Sequence, residues 1–516
     1  MHMHWADRIA KDIIASGKYK PYWVDDMKTP SGFAHIGSML GPVIHSAIYR
    51  ALKDAGQNVN LTYVFNDFDP ADEFPTVLKE TLEGHQGEAL KTVPSPDPKF
   101  GNLADYLADD LKKSIEYLGF EAKYISSWDL YHHGKFDEVI KLALDNSERI
   151  QDIYQKVSGS AKKEAGWLPF QVICEKCGKL GTTKVFAWDG EKVSYRCEPN
   201  LVTWAKGCGH EGKISPFGGT GKLPWKVDWA AHWKVIGVTI EGAGKDHASA
   251  GGSYDIAMAI CKEVFGFQEP FKIPYEFILI GGRKMSSSKG VGLKAHDLVK
   301  ILPSEVARFL FVNADIGSQS NFDPVGTMAI PDLFDAYDKA WAEGSRSFVL
   351  SQVKDIPVKS KKISPPRFRD IANYLSQGLG EKEVLGKFEN SDTKILQERI
   401  KYAKVWLSDY APETYRFEMT KEIPEGAKKL TSGQKEYLKE VAKLFEKNVK
   451  ADTLQVELYN LSKRLKINPG DAFAAIYIAF IGKTHGPRAG VLLTNFGKEK
   501  VTGRITDIMN GGDLNG

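Results

Sequence analysis

Charge of one sign is what this chain most plainly lacks: 69 lysines and arginines stand against 66 aspartates and glutamates, a formal net charge of +3. The global field therefore does not announce a nucleic-acid partner, and any such surface has to be a local basic patch. Long apolar runs are missing too. The longest, Ala472 to Ile481, is far short of a bilayer's width, so no membrane partner is expected. The first stretch, Met1 to Gly17, carries Asp7, Arg8, Lys11 and Asp12, which break any signal-peptide apolar segment. Cysteine is scarce, five in 516 residues, and four of them crowd into one region, which excludes a disulfide framework. These absences point to a cytoplasmic chain. With 42% hydrophobic and 26% charged residues it is an ordinary globular composition, long enough for two to four domains.

What is present begins with a βαβ reading. Tyr22-Trp23-Val24 is a short apolar run ending at Asp25-Asp26; a Thr29-Pro30-Ser31-Gly32 turn follows, then a helix predicted over His35 to Leu52. Its apolar positions Leu40, Val43, Ile44, Ala47, Ile48, Ala51 and Leu52 share one face. A second strand, Leu61 to Phe65, closes the unit, so a parallel sheet with ligands at its carboxyl edge is expected. In that geometry the turn before the helix faces an anion, with free N–H groups and glycines that permit close approach. His35 alone would read as a surface histidine; its Pro-Ser-Gly-x-x-His-Ile-Gly setting favours a ligand contact. Residues 71 to 98 read as a surface excursion, Leu103 to Leu118 as an amphipathic helix, Ala122 to Ser127 as a strand and Phe136 to Val157 as a helix.

Cys174-x-x-Cys177-Gly178 has the form of a metal knuckle, and Cys197 and Cys208 complete a candidate tetrahedron, with His210 as an alternative ligand. Four buried reduced thiols are the bland alternative. The distance from the other motifs argues for a structural Zn²⁺. Beyond it, Val235 to Ile240 is read as a strand leading into Gly244-Lys245-Asp246-His247, with a helix from Ser253 to Phe265. Trp225 and Trp229 either wall a pocket or simply pack. Tyr275 to Ile280 then delivers a cationic, hydroxyl-rich loop, Gly281-Gly282-Arg283-Lys284-Met285-Ser286-Ser287-Ser288-Lys289-Gly290, suited to phosphate oxygens. From 331 onward the composition turns to helix formers and lysine, with leucine stripes at helical spacing and a basic linker over Lys354 to Arg369.

The turn at His35-Ile36-Gly37-Ser38 and the loop at Lys284 together resemble the HIGH and KMSKS signatures of class I aminoacyl-tRNA synthetases, spelled here HIGS and KMSSS. Thr-Pro-Ser-Gly with HIGS, the cysteine-rich insertion, Gly-Lys-Asp-His-Ala, Lys-Met-Ser-Ser-Ser-Lys-Gly and the Lys483 to Arg488 tail make the whole pattern similar to class I lysyl-tRNA synthetases. The resemblance implies an α/β fold: a Rossmann-type parallel sheet in two halves (1–158 and 216–330), a zinc-ribbon-like insertion (159–215) and an all-α anticodon-binding domain (331–516). It implies ATP, with Mg²⁺, held by Pro30, Gly32, His35, Gly37, Ser38, Lys284 and Met285. His35, Ser38, Lys284, Ser286 and Ser287 would stabilise the reacting phosphates. L-lysine would be bound by Asp25, Thr29, Trp225, Asp246, His247 and Tyr275, with Met27 standing where glycine is usual. The partner implied is tRNA(Lys), bound to a monomer. A glutamate or arginine enzyme of the same class, and a non-catalytic tRNA-binding paralogue, are the alternatives.

Overall fold

The apolar run at Tyr22 continues through both aspartates to form strand β1 (Tyr22–Lys28), because each buried side of it finds a partner: Val24 packs in the core, and Asp25 and Asp26 are taken up by polar neighbours. The computed structural model describes residues 3–161, 166–282, 293–353, 365–389, 391–415, 417, 419–445 and 451–510. After β1, residues Ile36–Met39 form a 3-10 turn and the α-helix α1 (Leu40–Asp54) starts only at Leu40. The helix predicted from His35 therefore begins five residues late. Pro42 gives the reason: it lacks an N–H, which costs nothing only in a helix's first turn. The predicted apolar face is buried throughout, at Val43, Ile44, Ala47, Ile48, Ala51 and Leu52.

Strand β2 (Val59–Phe65) and strand β3 (Lys123–Ser126) follow, then helix α2 (Trp225–Ile236), β4 (Ile240–Gly244), helix α3 (Ser253–Glu263) and β5 (Phe271–Tyr275). Among the described residues the five strands make one all-parallel sheet in the order β5-β4-β1-β2-β3. The chain's first β-strand is thus central, and the order reverses beside it. Carboxyl ends on either side of such a switch leave a crevice, the usual ligand site of open α/β sheets.

Several local expectations are corrected. The strand predicted over Val235 to Ile240 is instead the last two residues of α2, stopped by Gly237 at φ 89°, and a short connection, and the true strand starts at Ile240. Trp225, Trp229 and Trp233 recur at helical spacing there. The helix predicted over Phe136 to Val157 breaks at Asn146 into Asp137–Asp145 and Ser147–Ser158. The segment read as a surface excursion has its own small core, where Phe74, Leu82, Leu90 and Val93 meet Leu103 and Leu107. The strand predicted over Tyr275 to Ile280 divides after Tyr275, and Ile278–Leu279 pairs separately with Ser320–Asn321. The insertion carries an antiparallel three-stranded sheet, Thr183–Trp188, Val193–Cys197 and Glu211–Ile214.

The chain divides into two compact units, Met1–Asp323 with Glu343–Lys359, and Pro324–Ala342 with Ser360–Gly516. The second is helical among its described residues. One of its cores joins Tyr437, Val441, Leu454, Leu458 and Leu461, the two stripes read from the sequence, to Ile476 and Phe480. Elsewhere in that unit Phe334 stacks on Phe368, and Arg399, nearly buried, pairs with Asp338. Most of the basic linker at Lys354 lies outside the described residues. No helix is long and apolar enough to cross a membrane among the described residues.

Candidate active site

The HIGS turn is held by backbone bonds to a distant stretch. The Ile36 N–H donates to the Leu293 carbonyl at 3.0 Å, the Ala295 N–H donates to the Ala34 carbonyl at 2.7 Å, and His35 bridges Lys294. On the other side of the Lys-Met-Ser stretch, the Gly282 N–H donates to Asn321 Oδ1 at 2.9 Å. Lys284, Met285, Ser286 and Ser287 lie outside the described residues. The chain nevertheless leaves and re-enters that stretch at fixed points, and the point of return is bonded to His35's own segment. His45 ties the helix beneath to the sheet: its Nδ1–H donates to the Gly41 carbonyl and its Nε2 accepts from the Gly242 N–H, both at 2.7 Å.

Two cavities open at the carboxyl edge. The first, about 280 Å³, is lined by the HIGS residues His35, Gly37 and Ser38 and, opposite, by Asp246, His247 and Tyr275. Its floor requires glycine at 41. A Cβ there would lie 2.8 Å from Asp26 Oδ2 and 3.0 Å from the Tyr275 hydroxyl. Burial, with Asp26 close by, pushes the Tyr275 phenol up, so it is a neutral hydrogen-bonding group.

The second cavity, about 670 Å³, is lined by Thr29, Asp69, Lys222, Trp225, Trp229 and His247, among others. Trp225 and Trp229 stack at 5.2 Å, 20° apart, and His247 meets Trp225 edge-on at 5.2 Å. Trp225 is 42% exposed, so it is a wall and not core. Thr29 Oγ1 donates to Asp69 Oδ2 at 2.6 Å, while the buried Lys222 ammonium donates to Asp69 at 2.5 Å, Asp228 at 3.1 Å and Asn66 at 3.2 Å. Burial alone would lower Lys222, but Asp228 and Asp69 outweigh it and hold the ammonium above its ordinary range.

Of the residues singled out in the sequence, the structure gathers His35, Gly37, Ser38, Asp246, His247 and Tyr275 in one cavity and Thr29, Trp225 and His247 in the other. Pro30 and Gly32 belong to the turn between them without lining either. Asp25 lines neither. Alternation along β1 turns it to the opposite face of the sheet from Asp26, where it is fully buried, accepts a hydrogen bond from Thr62 and sits in register with Glu241. Burial first, and the neighbouring acids after it, raise Asp25 to about 7 and Glu241 well above the usual carboxylate range. Glu241 accepts from the indoles of Trp229 and Trp233, so this acidic pair backs the aromatic wall from behind. Trp229, which the sequence leaves open between wall and packing, lines the second cavity beside Trp225, whereas Asp69 and Lys222 are not among the site residues expected from the sequence. Of those two, Asp69 carries a signal, at the end of a predicted strand in Asn66-Asp67-Phe68-Asp69-Pro70.

The insertion brings Cys174, Cys177, Cys197 and Cys208 together, with all four sulfurs within 4.8 Å of one another. The Cys174–Cys208 and Cys177–Cys197 separations are 3.6 and 3.7 Å. A tetrahedron with bonds of about 2.3 Å has sulfur–sulfur edges of roughly 3.8 Å, so the group fits Zn²⁺. The Cys208 N–H points at Cys197 Sγ, 3.3 Å away, as a knuckle requires. The His210 side chain stands outside the cluster, its ring against Tyr195, while its backbone supports the group, the carbonyl accepting from the Cys197 N–H and the main chain bonding to Cys208.

Residues 3–354 match the family described as tRNA synthetases class I (K), and residues 372–509 match the anticodon binding domain. The chain is 32% identical over 511 residues to a lysine–tRNA ligase of Archaeoglobus fulgidus, covering 98% of this chain and 99% of that one. It is 33% identical to a lysine–tRNA ligase of Methanocaldococcus jannaschii, covering 98% and 99%.

Proposed function

The chain belongs to the class I (K) tRNA synthetases, and from that membership we infer that it is a lysine–tRNA ligase, which activates L-lysine with ATP and passes the lysyl group to the 3′ end of tRNA(Lys). The observation that carries the assignment of the site is the backbone pairing of Ala34, His35 and Ile36 with Leu293, Lys294 and Ala295, which ties the HIGS turn to the return of the Lys-Met-Ser stretch.

ATP arrives as its Mg²⁺ complex in the smaller cavity, where Gly37 and Ser38 meet it and His35 donates to the phosphates. Lys284, Ser286 and Ser287 complete the charge on the departing pyrophosphate, and Met285, Pro30 and Gly32 shape the nucleotide's surroundings. Lysine occupies the larger cavity. Trp225 and Trp229 offer π faces to an ammonium. The Lys222, Asp69 and Asp228 triad carries one more negative charge than positive, which favours a cation nearby. Thr29, oriented by Asp69, and His247, Tyr275 and Asp246 fix the amino-acid backbone at the boundary with the nucleotide. Asp25 acts through the wall it supports and not by contact. Zn²⁺ on the four cysteines is structural. The helical segment matched to the anticodon domain reads tRNA(Lys) in a monomeric, cytoplasmic enzyme.

Amino-acid-dependent ATP–pyrophosphate exchange, run with total tRNA across all twenty amino acids, tests this reading. Lysine alone should support exchange. Exchange with glutamate or arginine would keep the class and sink the pocket assignment, and none at all would favour a non-catalytic role.

A further inference from the structure

The two cavities share three residues: Met27, Lys28 and His247. Adenylate formation joins a carboxylate held in one cavity to a phosphorus held in the other, so the new bond forms along that shared wall. Of the three residues only Lys28 carries a standing positive charge. It is the last residue of β1, at the carboxyl edge of the central strand, with its carbonyl accepting from Asn66 N–H. Its side chain is partly exposed to both cavities.

The two lysines of this region differ in a way that bears on their roles. Lys222 is fully engaged by Asp69, Asp228 and Asn66. The Lys28 side chain makes no hydrogen bond or ion pair among the described residues, and the charge that acts on it is that of Asp26 on the same strand. Burial, opposed by Asp26, holds it below the ordinary lysine range. An ammonium that borders both cavities and has no anionic side chain bonded to it is open to an arriving anionic oxygen, which it would bind by charge-assisted hydrogen bonds.

We propose that Lys28 is a catalytic residue of lysine activation, its ammonium bound to the α-phosphate as the lysine carboxylate attacks. A carboxylate oxygen forms the new bond to the α-phosphorus, and the bond from that phosphorus to the bridging oxygen breaks. The bonding pair leaves with pyrophosphate. No proton is transferred, and Lys28 stays an ammonium throughout. Charge gathers on the non-bridging α-oxygens in the transition state, and a preplaced cation there lowers the barrier more than it tightens binding.

The test compares the full chain with K28M and K28R in lysine-dependent ATP–pyrophosphate exchange. Exchange by the unaltered chain reports on the ligase reading, and the ratio of variant to unaltered kcat reports on Lys28 alone, so the two ideas fail separately. K28M should lose about 10²–10³-fold in kcat, with KM for lysine and ATP within a few fold. K28R, which keeps the charge, should recover most of that loss. A K28M kcat within threefold of the unaltered chain overturns the proposal. So does a K28R as inactive as K28M while its thermal unfolding is unchanged, since charge would then not be what the position supplies.

Discussion

Replacing Asp25 by Asn should stabilise the catalytic unit, and by more at high pH than at low. An ordinary aspartate ionises near 3.9, whereas Asp25, fully buried beside Asp26 and Glu241, is raised to about 7. Below about pH 4 both folded and unfolded chains hold this proton and the site is neutral to stability. Between there and pH 7 the unfolded chain releases it and the folded chain keeps it, so stability falls as pH rises; above 7 the penalty is constant. Integrating the two titrations gives a cost of roughly 1–2 kcal/mol at pH 5 and about 4 kcal/mol at pH 8. Asn keeps an oxygen for the Thr62 hydroxyl and cannot ionise. The pH-dependent part of its benefit is then about 2–3 kcal/mol, or roughly 3–4 °C for a unit of about 340 residues. Scanning calorimetry of both proteins at pH 5 and pH 8 reads that difference directly. An equal shift at the two pH values would show that Asp25 is not raised, and the account of the acidic pair behind the wall would fall with it.

Trp225→Ala removes half of the stacked aromatic wall and should raise KM for lysine by about 10–50-fold with a smaller change in kcat; unchanged KM would place lysine elsewhere. Lys222→Met leaves Asp69 and Asp228 facing each other uncompensated and should cost about 3–5 kcal/mol, visible as a fall in urea midpoint. Purified chain should carry one zinc, and Cys174→Ser should lose it together with thermal stability; a metal-free chain of full stability would contradict the tetrahedral reading of the cluster.

The parts of this molecule that were legible in its sequence are those whose information is contiguous. HIGS, the Gly-Lys-Asp-His turn and the cysteine knuckle each need only a handful of neighbouring residues in one conformation, and the structure places them at the sheet edge or in the insertion as the spacing implied. The Lys222–Asp69 contact joins positions 153 apart, and nothing in either neighbourhood marks the other. Helix α2 was hidden for a different reason. Its tryptophans stand out as bulky side chains more than as members of a 3.6-residue repeat, and its end, Val235-Ile236, is β-branched and apolar and so reads as strand.

Asp25 and Asp26 show where pattern reading stops even inside a correctly placed strand. Period-2 alternation requires adjacent residues to face opposite sides of the sheet, so only one of two neighbouring acids can reach a given crevice. The sequence offers no way to choose. What chooses is tertiary: α1, with Gly41 bare of a Cβ, covers one face and leaves Asp26 and Lys28 beside the HIGS turn, while α2 and its indoles cover the other and enclose Asp25 with Glu241. A strand ending at Asp25-Asp26, as the sequence suggests, leaves Lys28 off the sheet edge. Restoring the strand's last residues is what brings a lysine to the wall shared by both cavities.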